Sequence, residues 1–327
     1  KAPHRGWMPG PDHLTRYDGT VVPEPSTLFD DWSGRSRAST NQEMTIDRHL
    51  YEYYDLKVPP ADRSAELVGP DRWMDGILAR MTPSQREAWD QAYGPRNMSF
   101  RKAELEGDDL HRWKYQRYIK DYLRCIASVD DNTGRLVDWL EENGLSEDTI
   151  VIYTSDQGFF LGEHGWYDKR FMYEPSLRSP LIVRWPGVIE PGTRNDHLVQ
   201  NLDLAPTFLE MAGLDTPADM QGESLIPLMR GDRPEDWRNS IYYEYFEKGI
   251  HAVEPHYGVR TDRFKLIYFP ALDEWELFDL EEDPDEVMNL SGDPARAMQE
   301  AALRSELERV RIHYEVPEAI DPVQSSR

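Results

Sequence analysis

The stretch from Thr154 to Arg170 reads TSDQGFFLGEHGWYDKR. Asp156 offers a carboxylate and Gln157 an amide oxygen, side by side. Just past the end of a strand, where pleat alternation stops, both can turn toward one ion. A carboxylate with an amide oxygen is a hard donor pair that suits Ca²⁺ or Mg²⁺ better than Zn²⁺. Two donors do not complete a site, so further ligands must come from elsewhere. His164 adds an imidazole and Lys169 an ammonium. Taken singly, each has a plain reading. Asp156 caps a turn, Gly158 shapes it, His164 packs and Lys169 is solvated. Taken together within thirteen residues of a strand-end carboxylate, they are harder to read as unrelated side chains.

The element that must position this segment is the run TIVIYTSD at 149–156, β-branched and of the buried type. Open α/β folds place ligands at the carboxyl ends of such strands. Before it, Tyr115, Tyr118, Ile119, Tyr122, Ile126, Val129, Leu136, Val137 and Leu140 recur at spacings of three and four. They predict a helix over 108–143, stopped by Gly144. A shorter helix is predicted over 81–97, with Thr82 as N-cap and Pro83 at its first position. Residues 1–40, rich in Pro, Gly, Ser and Asp, read as loop with short helical turns. SPLIVRWPG at 179–187 is a second strand, and 198–213 reads as a strand end followed by a helix capped by Asp203. Strand and helix in alternation make an α/β pattern.

The pattern changes near residue 235. Short strand-like runs at 240–246, 257–261, 264–270 and 275–280, with turn signals between them, predict an antiparallel sheet. A terminal helix follows over 293–315. The expected domains are therefore 1–235 and 236–327.

The bulk composition narrows the function. With 327 residues, 39% hydrophobic, the chain can build a sizeable core. Its 61 acidic and 37 basic residues give a formal charge of -24, which repels nucleic-acid phosphates. Mean hydropathy is -0.73, and no apolar run approaches the roughly 20 residues that span a bilayer. One cysteine, Cys125, excludes an intrachain disulfide.

The strings Ser155-Asp156-Gln157-Gly158, Gly162-Glu163-His164-Gly165 and Lys169 before Tyr173-Glu174 resemble the C-terminal metal and sulfate segment of the type I sulfatases, in the alkaline phosphatase superfamily. KAPHRGW at 1–7 is similar to the family's Ala-Pro-His segment, with Gly6 where proline is common. The stretches 176–193, 198–213 and from Gly258 onward as GVRT…WELFDL extend the likeness over nearly the whole chain, toward glycan sulfatases of the heparan type. The resemblance implies an alkaline-phosphatase-like α/β sandwich with a central mixed sheet, its N-terminal part missing here. A smaller C-terminal antiparallel-sheet subdomain with a terminal helix would follow. It implies hydrolysis of sulfate esters on sulfated carbohydrate. Asp156 and Gln157 would bind calcium, ahead of magnesium, and Lys169 would bind the sulfate. His4 would protonate the leaving oxygen, and His164 joins the catalytic set. His251, His256 and Arg260, in a loop entering the C-terminal sheet, would border the substrate, or stand as ordinary loop residues. By the same resemblance the protein acts in the periplasm or outside the cell.

One part of the family's chemistry is not found in the sequence. A sulfatase nucleophile is a formylglycine made from the Cys or Ser of a Cys/Ser-x-Pro/Ala-x-Arg motif. Cys125 lies in YLRCIASVD, with no Pro or Arg at the required offsets, and reads as a small buried hydrophobe. The nucleophile and further calcium ligands are therefore expected upstream, on a missing N-terminal part of the same protein. Alone, the chain is expected to be inactive. Two alternatives stand beside this one. A phosphonate or phosphodiester hydrolase of the same superfamily more often carries His where Gln157 stands. A non-catalytic glycan-binding relative would have no need of Asp156, His164 and Lys169.

Overall fold

The computed structural model describes residues 3–62, 64, 66–232, 234–247 and 253–317. In chain order they form α1 (Ala38–Asn41), α2 (Asp71–Leu78), α3 (Pro83–Ala103), α4 (Gly107–Glu142), β1 (Val151–Thr154), β2 (Phe160–Leu161), β3 (Tyr167–Asp168), α5 (Glu174–Leu177), β4 (Leu181–Arg184), α6 (Leu204–Met211), α7 (Ile226–Met229), β5 (Ser240–Tyr245), β6 (His256–Thr261), β7 (Phe264–Phe269), β8 (Glu274–Asp279) and α8 (Ala297–His313). The chain folds as two units, one of Lys1–Asp30, Glu43–Gly144 and Phe160–Asp168, the other of Asp31–Gln42, Leu145–Phe159 and Lys169–Arg327. The change of pattern near residue 235 falls inside the second. No described helix is long and apolar enough to cross a membrane.

The first unit is built on α4. Its stripe buries Tyr115, Tyr118, Ile119 and Cys125. The Tyr118 hydroxyl donates to the Phe160 carbonyl at 2.7 Å, and its ring meets Trp7 edge-on at 4.6 Å. Farther along, Leu136 and Val137 are exposed although they continue the helical spacing. The helix α3 begins as expected: the Thr82 hydroxyl accepts from the Gln85 N–H, and the Gln85 side chain accepts from the Thr82 N–H. It runs on to Ala103, past Pro95 and past the expected end at 97. Tertiary bonds hold the extra turn. Asn97 donates to the Lys57 carbonyl at 2.8 Å, Arg101 donates to the Pro59 carbonyl, and Phe100 stacks on Trp113 at 3.7 Å.

In the second unit β1 and β4 pair antiparallel, from Val151 opposite Arg184 to Thr154 opposite Leu181. They read as buried strands, yet Leu181 and Ile182 face outward. Residue Asp203 does not cap α6 by its side chain. It is fully buried instead, accepting from the Gln200 N–H at 2.7 Å and from the Arg238 guanidinium. The four strands β5-β6-β7-β8 form an antiparallel meander. Val259, Leu266 and Leu277 of the sheet pack with Leu303, Leu307 and Val310 of α8. This is the mixed α/β architecture, with a C-terminal antiparallel sheet and terminal helix, that the sequence implies.

Candidate active site

The second unit carries the carboxyl end of β1. Asp156 is exposed there and Gln157 half-buried. The Ser155 hydroxyl donates to the Gln157 carbonyl at 2.9 Å, and the Asn201 amide donates to the Asp156 carbonyl. The backbone of the pair is thereby fixed, and the Asp156 side chain stands at the surface. Next comes Gly158, whose neighbours leave no room for a side chain. A Cβ there would lie 2.2 Å from the Pro175 carbonyl oxygen and 2.7 Å from that of Arg178. The close approach lets the Gly158 N–H donate to Ser176 O at 2.9 Å and the Phe159 N–H to Pro175 O at 2.7 Å. Lys169 is buried, with its ammonium over the Phe159 ring at 5.5 Å. The fold thus brings the anion-binding candidate onto the loop that leaves the oxygen-donor pair.

Between Lys169 and β4 the chain is held by the C-terminal sheet. Tyr243 donates its hydroxyl to Arg170 O at 2.6 Å. His256 is buried; the Met172 N–H donates to its Nε2 at 3.1 Å, so Nδ1 carries the proton and donates to Glu254 O at 2.8 Å. Burial pushes its pKa down to about 4. Arg260 donates to the Glu174 carboxylate from Nε at 3.3 Å and Nη2 at 3.2 Å. Both residues, expected beside a substrate, are here engaged with the segment that follows Lys169. His251 lies outside the described residues. Burial opposes ionisation of Glu174, but the charges of Lys265 and Arg260 outweigh it and hold its pKa down to about 2.

The first unit carries His4 and His164. His4 is exposed and lines a cavity of about 450 Å³ with Met8, Tyr54, Ile77 and Cys125. Its loop is tightly tied. Arg5 grips Asp55 with two bonds, at 3.0 and 2.7 Å. The buried Lys57 ammonium donates to the carbonyls of Gly6, Tyr54 and Asp55 at 2.6, 2.7 and 3.2 Å. Three carbonyls compensate the burial of that cation. Arg5 therefore tethers the loop to Asp55. His164 sits in the left-handed region, at φ 58°, and is buried. Its Nδ1 is 2.8 Å from Asp30, its N–H donates to Thr27 Oγ1 at 3.0 Å, and its ring adjoins Trp166 at 5.0 Å. This histidine is locked into the first unit by both backbone and ring.

Cys125 is buried on α4, and burial pushes its pKa up to about 12. A thiol so raised stays protonated at neutral pH and is no nucleophile. Among the described residues no group of three or more His, Cys, Asp or Glu side chains is placed to hold a metal. Asp156 and Gln157 fit calcium in donor type, and they supply part of a coordination shell only. The buried anchors Asp55, Lys57, Lys265, Glu276 and Glu286 were not singled out from sequence, and Glu174 entered only as part of the Tyr173-Glu174 string. Lys57, Lys265 and Glu276, each a charge set between apolar neighbours in LKV, FKL and WEL, carried the visible signal.

Two family models match the chain: Sulfatase over residues 24–214, and N-sulphoglucosamine sulphohydrolase, C-terminal, over residues 162–313. The N-acetylglucosamine-6-O-sulfatase of Bacteroides thetaiotaomicron is 45% identical over 318 residues, which span 96% of this chain and 57% of that protein. The multifunctional alkaline phosphatase superfamily protein PehA of Trinickia caryophylli is 33% identical over 220 residues, 62% of this chain and 42% of the other. A solved structure of a protein in complex with its substrate D-glucosamine-2-N,6-O-disulfate superposes with a TM-score of 0.91 at 43% identity, covering 99% of this chain and 65% of that one. The chain thus spans less than two thirds of the length of these relatives.

Proposed function

This chain belongs to the sulfatase family, and from that premise we propose that it forms part of an enzyme that hydrolyses sulfate esters on glucosamine-type glycan units. The observation that carries the reading is the grouping at the end of β1. Asp156 and Gln157 lie there, and Lys169 rests on Phe159 of the same loop. The substrate class draws support from the relatives, one an N-acetylglucosamine-6-O-sulfatase and one bound to a doubly sulfated glucosamine. Gln157, an amide where phosphodiester hydrolases more often carry His, favours a sulfate ester over a phosphodiester.

In this reading Lys169 binds the sulfate and offsets charge on its non-bridging oxygens, where the transition state concentrates it. Asp156 and Gln157 would hold calcium, which when bound adds positive charge to those same oxygens. His4, exposed on its tethered loop, donates the proton that the leaving sugar oxygen needs. His164 is pinned to Asp30 and holds its own segment in place. The nucleophile, a formylglycine, is proposed to lie in a part of the protein outside this chain, because Cys125 lacks the Pro/Ala and Arg neighbours of the modification motif. The exposed apolar side chains Ile182 on β4 and Phe208 on α6, 65% and 47% exposed, support a further stretch of protein packing there. The family's usual setting supports action in the periplasm or outside the cell.

The test is a paired assay on the full-length protein. Sulfate release from a 6-sulfated glucosamine and cleavage of a phosphodiester are measured before and after dialysis against a chelator. The reading expects a preference for the sulfate ester of at least about 10²-fold, lost on chelation and restored by calcium. Faster phosphodiester cleavage, or recovery with zinc alone, would overturn it.

A further inference from the structure

The C-terminal sheet makes a set of bonds to one short segment, and the pattern of those bonds suggests a task beyond stability. The segment runs from Lys169 through α5. On one side its carbonyls at Pro175 and Ser176 receive the N–H groups of Phe159 and Gly158, and the Ser176 hydroxyl receives the Arg170 N–H at 3.1 Å. On the other side it is gripped at successive residues by the sheet and the loop that follows it. Tyr243 of β5 takes Arg170 O, His256 of β6 takes the Met172 N–H, and Glu276 of β8 accepts from the Tyr173 hydroxyl at 2.8 Å. Glu174 is held twice. Its N–H donates to Glu286 at 2.6 Å, and its carboxylate meets the Lys265 ammonium at 2.9 Å and the Arg260 guanidinium. Lys265 in turn meets Glu286 at 2.5 Å, and both are fully buried.

We propose that Lys265, with Glu174 and Glu286, acts as a positioning group that sets the Lys169 loop and the Asp156–Gln157 strand end at a fixed separation. The physical ground is the continuity of the bonds. From Lys265 the path runs through Glu174 to the carbonyls of α5, and from there into the amides directly after Gln157. A salt bridge buried this deeply is costly to assemble and gives little net stability. Breaking one partner leaves an unpaired charge, so the geometry is stiff. The donor pair stands at the end of a two-stranded sheet, with Asp156 exposed and Gln157 half-buried, and the amides that follow it are tied to α5. Catalytic groups must hold position to within about 0.5 Å, and their supports are what secure that. The sheet that looks like an appended subdomain is, on this account, the jig for the anion and metal groups. It rests on the sulfatase reading only where it speaks of turnover.

The test uses the full-length protein, its Lys265→Met variant, and the milder Tyr243→Phe variant, which removes one hydroxyl. Amide hydrogen exchange is followed at Gly158, Phe159 and Arg170, together with calcium affinity and, on a sulfate ester, kcat and KM. In Lys265→Met, exchange at those three amides is expected to rise at least about tenfold, while amides of α3 and α4 keep their rates. Calcium affinity falls about 10- to 100-fold, and kcat falls more than KM rises. Lys265→Arg restores part of each. A folded Lys265→Met protein with unchanged exchange and calcium affinity would overturn the proposal. Should that variant not fold, Tyr243→Phe decides on the same amides, with faster exchange at Arg170 expected and unchanged exchange contradicting. If the wild-type protein releases no sulfate, the sulfatase reading fails, and the exchange data alone judge the positioning role.

Discussion

Lys169, on the loop after β3, and His256, at the start of β6, are both buried side chains of the second unit. Lys169 keeps its ammonium over the Phe159 ring at 5.5 Å, and in the proposed function it meets the sulfate. Truncation to alanine is expected to lower kcat/KM for a sulfate ester by about 10²- to 10³-fold, with the melting temperature little changed. Steady-state kinetics and a thermal melt check this. His256 is held neutral. Its pKa falls from the ordinary 6.5 to about 4 because the ring is buried. The folded state therefore binds the proton less readily than the unfolded chain. The stability it lends is complete above pH 6.5 and is lost as pH falls toward 4, a change of about 3 kcal/mol. Denaturant melts at pH 7 and pH 4.5 should show that loss. His256→Phe, which fills the space among Phe171, Tyr243 and Phe269 without titrating, should flatten it.

The elements divide cleanly into those that sequence spacing reveals and those it hides. Helix α4 was legible because Tyr115, Tyr118, Ile119 and Tyr122 fall on one face and Gly144 ends the run. The strands β5 to β8 were legible through β-branched and aromatic runs separated by turns. The far end of α3 was not, because Asn97, Arg101 and Phe100 hold it through partners distant in the sequence. For the same reason the bonds of Arg260 and His256 were hidden, because their partners Glu174 and Met172 lie more than eighty positions away. The donor pair and Lys169 were readable because local order, strand then turn, places them together. What fixes their spacing was not readable, since it passes through Gly158 and α5. Gly158→Ala should force the strand end away from the Pro175 carbonyl. We expect a stability loss of about 1 to 3 kcal/mol and weaker calcium binding, measured by melting and by calorimetry.

At the scale of the molecule, a net charge of -24 makes the binding of an anionic glycan a local matter. Lys169 and a bound cation must outweigh a repulsive surround, so salt should raise the on-rate for a polyanionic substrate instead of lowering it. Stopped-flow association at two ionic strengths reads this directly. The chain spans 57% of the length of its Bacteroides relative, and its one cysteine is buried and protonated. If the proposed nucleophile is right, intact mass of the mature full-length protein shows the mass loss of a formylglycine in the part outside this chain. Its absence would leave the site with a metal and a sulfate pocket and nothing to attack.

The central claim is that Asp156, Gln157 and Lys169 form the metal and sulfate side of a sulfatase site. The measurement that tests it most directly is sulfate release from glucosamine 6-sulfate by the full-length protein and by its Asp156→Ala and Lys169→Ala variants. The account predicts release by the wild type in the presence of calcium, and a loss of at least about 10²-fold in each folded variant. Folded variants that release sulfate as fast as the wild type would contradict it.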